Sequence, residues 1–146
     1  MNSDDRIKCA EASKGLSDLR ESIARLIRTP RVLIIDDAPL DVELLIKAIL
    51  NVIRCDTSAC PSPVEGLNMF KANPFDAVFL DLVIPGFDPL DFLRSINIKN
   101  VVVIVTGYST NTPLIAEAVK LGAIQVITKP VKEDDLRKIF GGINGR

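Results

Sequence analysis

Four apolar runs of this chain end on residues that can do chemistry. Val32-Leu33-Ile34-Ile35 ends on Asp36-Asp37, Ala77-Val78-Phe79-Leu80 on Asp81, Val101 to Val105 on Thr106, and Ile124 to Thr128 on Lys129. Gathered carboxylates repel one another by roughly 4 kcal/mol per pair at about 4 Å and an effective dielectric near 20, so such a cluster needs a cation. Mg²⁺ fits: it prefers oxygen ligands, keeps several waters, and binds through one or two carboxylates plus a phosphoryl group. With the ion neutralising an incoming phosphate, one carboxylate can attack phosphorus and become an aspartyl phosphate. Lys129 brings a positive charge and Thr106 a hydroxyl, both suited to the equatorial oxygens of a transferring phosphoryl group. Gly107 leaves space and a backbone N–H beside Thr106.

The elements that must position these residues alternate from Arg31 onward. Strands are expected at Arg31 to Asp36, Arg54 to Ala59, Phe75 to Leu80, Val101 to Val105 and Ile124 to Thr128. Helices are expected at Pro39 to Val52, Pro63 to Ala72, Asp88 to Ile96, Thr112 to Leu121 and Lys132 to Phe140. Ser62-Pro63-Val64-Glu65 combines an N-cap, a first-turn proline and a capping-box glutamate, and Gly122 stands where a C-terminal glycine belongs. The first, third and fourth strands are almost wholly apolar, as strands covered on both faces must be. The second, Cys55-Asp56-Thr57-Ser58, is polar, and Gln125 interrupts the fifth, so these two belong at the edges. Right-handed crossovers then give a doubly wound five-stranded parallel α/β sheet of order 2-1-3-4-5. Its strand order reverses between strands 1 and 3, the two that end on Asp36-Asp37 and Asp81.

Composition narrows the alternatives. A chain of 146 residues fits one domain of ordinary size. Its formal net charge of −1, without runs of like charge, offers no footprint for nucleic acid or a membrane surface. Neither a signal peptide nor an apolar stretch of about 20 residues is visible, which points to the cytoplasm. Cys9, Cys55 and Cys60 lack metal or redox spacing and read as free thiols. The absence of His removes imidazole as a general base and with it serine-type triads. A phosphotransferase or phosphatase of the haloacid-dehalogenase type wants a second Asp two residues after its nucleophile, where this chain has Val83.

From Arg31 onward, about four fifths of the chain, the sequence resembles the receiver domain of two-component response regulators. The likeness rests on Asp36-Asp37, on Asp81 followed by Val83-Ile84-Pro85-Gly86, on Thr106-Gly107 and on Lys129-Pro130. It implies a flavodoxin-like fold and a signalling domain, not an enzyme, that takes a phosphoryl group from a sensor histidine kinase or a phosphotransfer protein. It implies that Asp81 is the phosphoacceptor, that Asp37 and Asp81 bind Mg²⁺ directly with the Val83 backbone carbonyl, and that Asp36 acts mainly through water. It implies further that Thr106 and Lys129 bind phosphoryl oxygens and that the Lys129-Pro130 peptide is cis. Three positions depart from the family pattern. Val126 stands where an aromatic residue usually couples to the Thr hydroxyl, and a β-branched side chain has no such swing; Pro89 and Ile84 replace a usual Gly and Met. The loss of the aromatic leaves a second reading, a degenerate receiver that binds partners without phosphorylation. The resemblance also implies that the residues two beyond the phosphoacceptor and two beyond the Thr, here Val83 and Tyr108, control access of the hydrolytic water. Neither offers an acid or amide to position it, so a long-lived phosphoryl group is expected. Val83→Asn should then hasten its loss, and unchanged decay would count against this.

Residues 1–30 form an N-terminal helical extension outside the likeness, which leaves 31–146 as the receiver. Cys9, Ala12, Leu16, Leu19, Ile23 and Leu26 are spaced 3-4-3-4-3, a helical seam that must pack on something. Two arrangements satisfy it, docking on its own receiver or forming a homodimer. The glycine-rich end, Gly141 to Arg146, holds no further element, so output is expected through contact with a downstream protein.

Overall fold

The structure, a computed structural model, describes residues 15–20, 23, 28–96, 101–107 and 113–141. Five parallel strands, β1 (Arg31–Ile35), β2 (Asp56–Cys60), β3 (Ala77–Asp81), β4 (Val101–Thr106) and β5 (Gln125–Thr128), form one sheet of order β2-β1-β3-β4-β5. Between and after them run α1 (Pro39–Val52), α2 (Pro63–Ala72), α3 (Pro89–Ser95), α4 (Pro113–Lys120) and α5 (Glu133–Phe140). The expected order is the observed one, with the two polar strands at the edges. Observed bounds differ from those expected by two residues at the starts of β2 and β3 and by about one elsewhere, within the usual fraying of element ends.

Alternation along the central strands sorts the core into two clusters. Leu33, Ile35, Val78, Leu80 and Ile104 face one side, where Phe92 and Leu93 of α3 and Ile115 and Ala118 of α4 cover them. Val32, Ile34, Phe79, Val103 and Val105 face the other, against Leu45 and Ile49 of α1 and Leu136 and Phe140 of α5. Full burial of such a side chain is worth about 1.5–3 kcal/mol, so the doubly covered strands fix the register of everything at their ends. Helix α2 packs so close to β1 that a Cβ on Gly66 would collide with the Ile35 side chain.

Local signals act as their chemistry dictates. The Ser62 hydroxyl accepts the Glu65 N–H at 3.3 Å, capping α2. Asp88 caps α3 by accepting the Leu90 N–H at 2.9 Å, with Pro89 in the first turn. Gly122 takes φ +112° just past α4. Cys55 and Cys60 are buried free thiols, and burial pushes Cys60 up to about 11. Cys9 lies outside the described residues, as do Ala12, Leu26 and Tyr108.

Residues 15–20 and 23 are helical, in keeping with the expected N-terminal helix. Their apolar side chains are exposed: Leu16 and Leu19 to 55% and Ile23 to 47%. Nearer the sheet, Arg28 is paired with Asp76 at the start of β3.

Candidate functional site

Strand register assembles the site. Ile35 of β1 lies opposite Leu80 of β3, so Asp36 and Asp81, each the next residue, emerge side by side at the carboxyl edge. Across β3, Asp81 pairs with Val105, which places Thr106 one step beyond. Thr106 in turn pairs with Thr128, and the Lys129 N–H donates to the Thr106 carbonyl at 2.7 Å, which brings the lysine into the same cluster. The Lys129-Pro130 peptide is cis.

Each buried carboxylate is oriented from both sides. Asp81 Oδ1 accepts the Val83 N–H at 2.9 Å, and its Oδ2 accepts from Lys129 Nζ at 3.2 Å. Asp36 Oδ1 accepts the Ala38 N–H at 2.9 Å, and its Oδ2 accepts from Lys129 at 2.9 Å. Asp37 is exposed, yet one oxygen from each of Asp36, Asp37 and Asp81 lies within 4.8 Å of the others. Beyond Asp81 the chain turns through Ile84-Pro85-Gly86-Phe87, closed by the Phe87 N–H on the Ile84 carbonyl at 3.3 Å. Pro85 and Gly86 fill the two central positions, and Gly86 has the φ of +83° that a type II turn requires at the second.

The electrostatics show a site short of positive charge. Burial raises Asp81 above the ordinary carboxylate range, and the nearby Asp36 adds to this; the Val83 N–H and Lys129 pull the other way but do not cancel it. Burial also opposes the charge on Lys129, but hydrogen bonds to Asp41 and Asp36 and the charges of Asp81 and Asp36 outweigh it, leaving the ammonium above its usual range. A hard divalent cation suits this donor set: three converging carboxylates, all oxygen, only one of them solvent-exposed.

Asp41 belongs to the site although sequence reasoning passed over it. It lies in the first turn of α1, where an acidic residue is ordinary helix chemistry. Its Oδ2 accepts from Lys129 Nζ at 2.9 Å across 88 residues of sequence. Behind this pair a cavity of about 450 Å³ opens between α1 and the segment after β5, lined by Asp36, Asp41, Leu44, Lys129, Pro130 and Val131. Val126 is partly buried against the core, opposite Ile104.

The family model for the response regulator receiver domain matches residues 32–140. The chain belongs to that family. This receiver is 28% identical over 110 residues to sporulation initiation phosphotransferase F of Bacillus subtilis, over 73% of this chain and 87% of that protein. It is 27% identical over 113 residues to the two-component response regulator ORR21 of Oryza sativa subsp. japonica, over 75% of this chain but 16% of that protein. The receiver thus spans about one sixth of that longer relative. A receiver domain protein (CheY-like) from Methanospirillum hungatei has the same fold, with a TM-score of 0.69 at 22% identity over 81% of this chain and 95% of that one. The receiver is a signalling domain of two-component systems. Among the described residues no helix is long and apolar enough to cross a membrane.

Proposed function

We propose that this receiver accepts a phosphoryl group on Asp81 from a phosphohistidine of a sensor histidine kinase or phosphotransfer protein and signals by protein contact. The observation that carries the reading is the arrangement of Asp81. Its carboxylate is buried at the end of β3 and held by the Val83 N–H and Lys129, within a cluster completed by Asp36 and Asp37. In the transfer an Asp81 oxygen forms the new bond to phosphorus, the donor's P–N bond breaks, and its imidazole leaves with the electron pair and takes a proton. Lys129 balances charge on the phosphoryl oxygens, and the Thr106 hydroxyl donates to one of them. Asp37, Asp81 and the Val83 carbonyl would hold Mg²⁺, with Asp36 acting through water. Bound there, the ion would neutralise the anionic reactants.

This assignment makes the chain an acceptor in a phosphorelay and not an enzyme acting on other substrates, and it places the chain in the cytoplasm. The boundary near residue 31 separates the receiver from its helical extension. The exposed Leu16, Leu19 and Ile23 favour a homodimer through that extension over docking in cis. Sedimentation should show a dimer that Leu19→Glu with Ile23→Glu dissolves; a monomer in both removes the dimer.

Intact mass measured after adding a small phosphodonor and Mg²⁺ tests the central assignment. The wild type should gain one phosphoryl group, and Asp81→Asn none. Modification that persists in Asp81→Asn would overturn it.

A further inference from the structure

All three N–H groups of the Lys129 ammonium have a carboxylate acceptor within reach. Asp36 and Asp41 accept at 2.9 Å and Asp81 at 3.2 Å. An ammonium has no fourth donor. A phosphoryl oxygen arriving at Asp81 therefore gains Lys129 only as one of these acceptors gives way. Asp36 is buried and anchored a second time by the Ala38 N–H, and Asp81 is itself the acceptor of the new bond. Asp41 differs from both: it reaches in from a helix, its side chain is 40% exposed, and with Lys129 it borders the cavity between α1 and the segment after β5.

We propose that Asp41 is a positioning residue that competes with the phosphoryl group for Lys129, drawing the ammonium toward α1 in the unmodified receiver and weakening the site's hold on a phosphoryl group. The inference rests on Asp81 being the phosphoacceptor. Two effects act in the same direction. Asp41 occupies a donor that the phosphoryl oxygens need, and its negative charge beside the same ammonium opposes the approach of another anion. Its exposure to water keeps the effect moderate. The role also explains why a carboxylate that could simply face solvent at the start of α1 turns inward.

Beryllofluoride, a non-covalent stand-in for the phosphoryl group, tests this in the full chain. Its Mg²⁺-dependent binding is followed by ¹⁹F NMR for the wild type and for Asp41→Asn, which keeps size and an acceptor but loses charge. Asp41→Ser serves as a second neutral residue compatible with a helix start, and Asp41→Glu as the conservative variant. Thermal midpoints measured alongside confirm that each variant is folded. The neutral variants should bind about fivefold more tightly, a gain of the size a partly screened ion pair supports, and the gain should shrink in high salt. Asp41→Glu should stay near the wild type. Equal or weaker binding by folded Asp41→Asn and Asp41→Ser overturns the role of Asp41. Wild-type protein that binds no beryllofluoride with Mg²⁺ present overturns instead the phosphoacceptor reading, and this inference with it.

Discussion

The two ends of the paired strands β1 and β3 are built to opposite electrostatic ends. At the amino end, Asp76 is matched: its Oδ2 accepts the Arg31 N–H at 2.8 Å, its Oδ1 pairs with Arg28, and the Arg31 guanidinium lies 5.3 Å from the Phe75 ring centroid. At the carboxyl end, Asp36, Asp41 and Asp81 share the ammonium of Lys129, with the Asp37 carboxylate beside Asp36 and Asp81. The same strands carry both arrangements, some five residues apart. One end is closed and contributes to stability, whereas the other keeps an excess of negative charge that folding alone does not reward. Excess of that kind at the strand reversal of a parallel sheet is what the proposed cation would relieve.

Removing the Lys129 ammonium should have the largest effect. Lys129→Met leaves Asp36 and Asp81 buried without their partner, and we expect a loss of about 3 kcal/mol in chemical denaturation without divalent ions. A loss under about 1 kcal/mol would mean that the open end is not under electrostatic load. Cys60 closes β2 beside this edge, and its carbonyl accepts the Asp36 N–H at 3.1 Å. Its thiol, ordinarily near 9.0, is raised to about 11 by burial, so the folded state binds the proton more tightly than the unfolded one. The stabilisation is therefore complete below pH 9 and is lost as pH rises toward 11, by about 2 kcal/mol. The wild type should lose that stability in this window while Cys60→Ala does not, and parallel stability curves would contradict it.

Smaller effects test the contrast itself, because one substitution should act with opposite signs at the two ends. Asp76→Asn breaks a matched set and should cost about 1.5 kcal/mol. Asp81→Asn removes a burial-raised carboxylate from an overcharged one and should gain about 1 kcal/mol in protein free of divalent ions. Urea midpoints for the two variants decide it, and equal signs would erase the contrast.

Much of this was legible in the sequence because the decisive residues end apolar runs. The polarity of Cys55-Asp56-Thr57-Ser58 and the Gln125 interruption placed β2 and β5 at the edges, and the strand order followed. Asp36, Asp37, Asp81, Thr106 and Lys129 could be grouped because each stands at or just beyond the carboxyl end of a strand. Asp41 gave no such signal, since a first-turn acid needs no partner beyond its own helix, and its contact with Lys129 exists only in three dimensions. Gly66 was equally silent: inside a helix pattern it looks like a small loss of propensity, whereas its cause is the close approach of Ile35. The exposed Leu16 and Leu19 show the same limit, because a seam spacing states that a helix must pack but not on what.

The most direct test of the contrast between the two ends is a Mg²⁺ titration of the isotopically labelled receiver followed through its backbone amides. The account predicts saturable shifts by about 10 mM Mg²⁺ at Asp36, Asp37, Asp81, Val83 and Lys129, with Arg31 and Asp76 unmoved. Shifts spread evenly over both ends, or none at the carboxyl end, would contradict it.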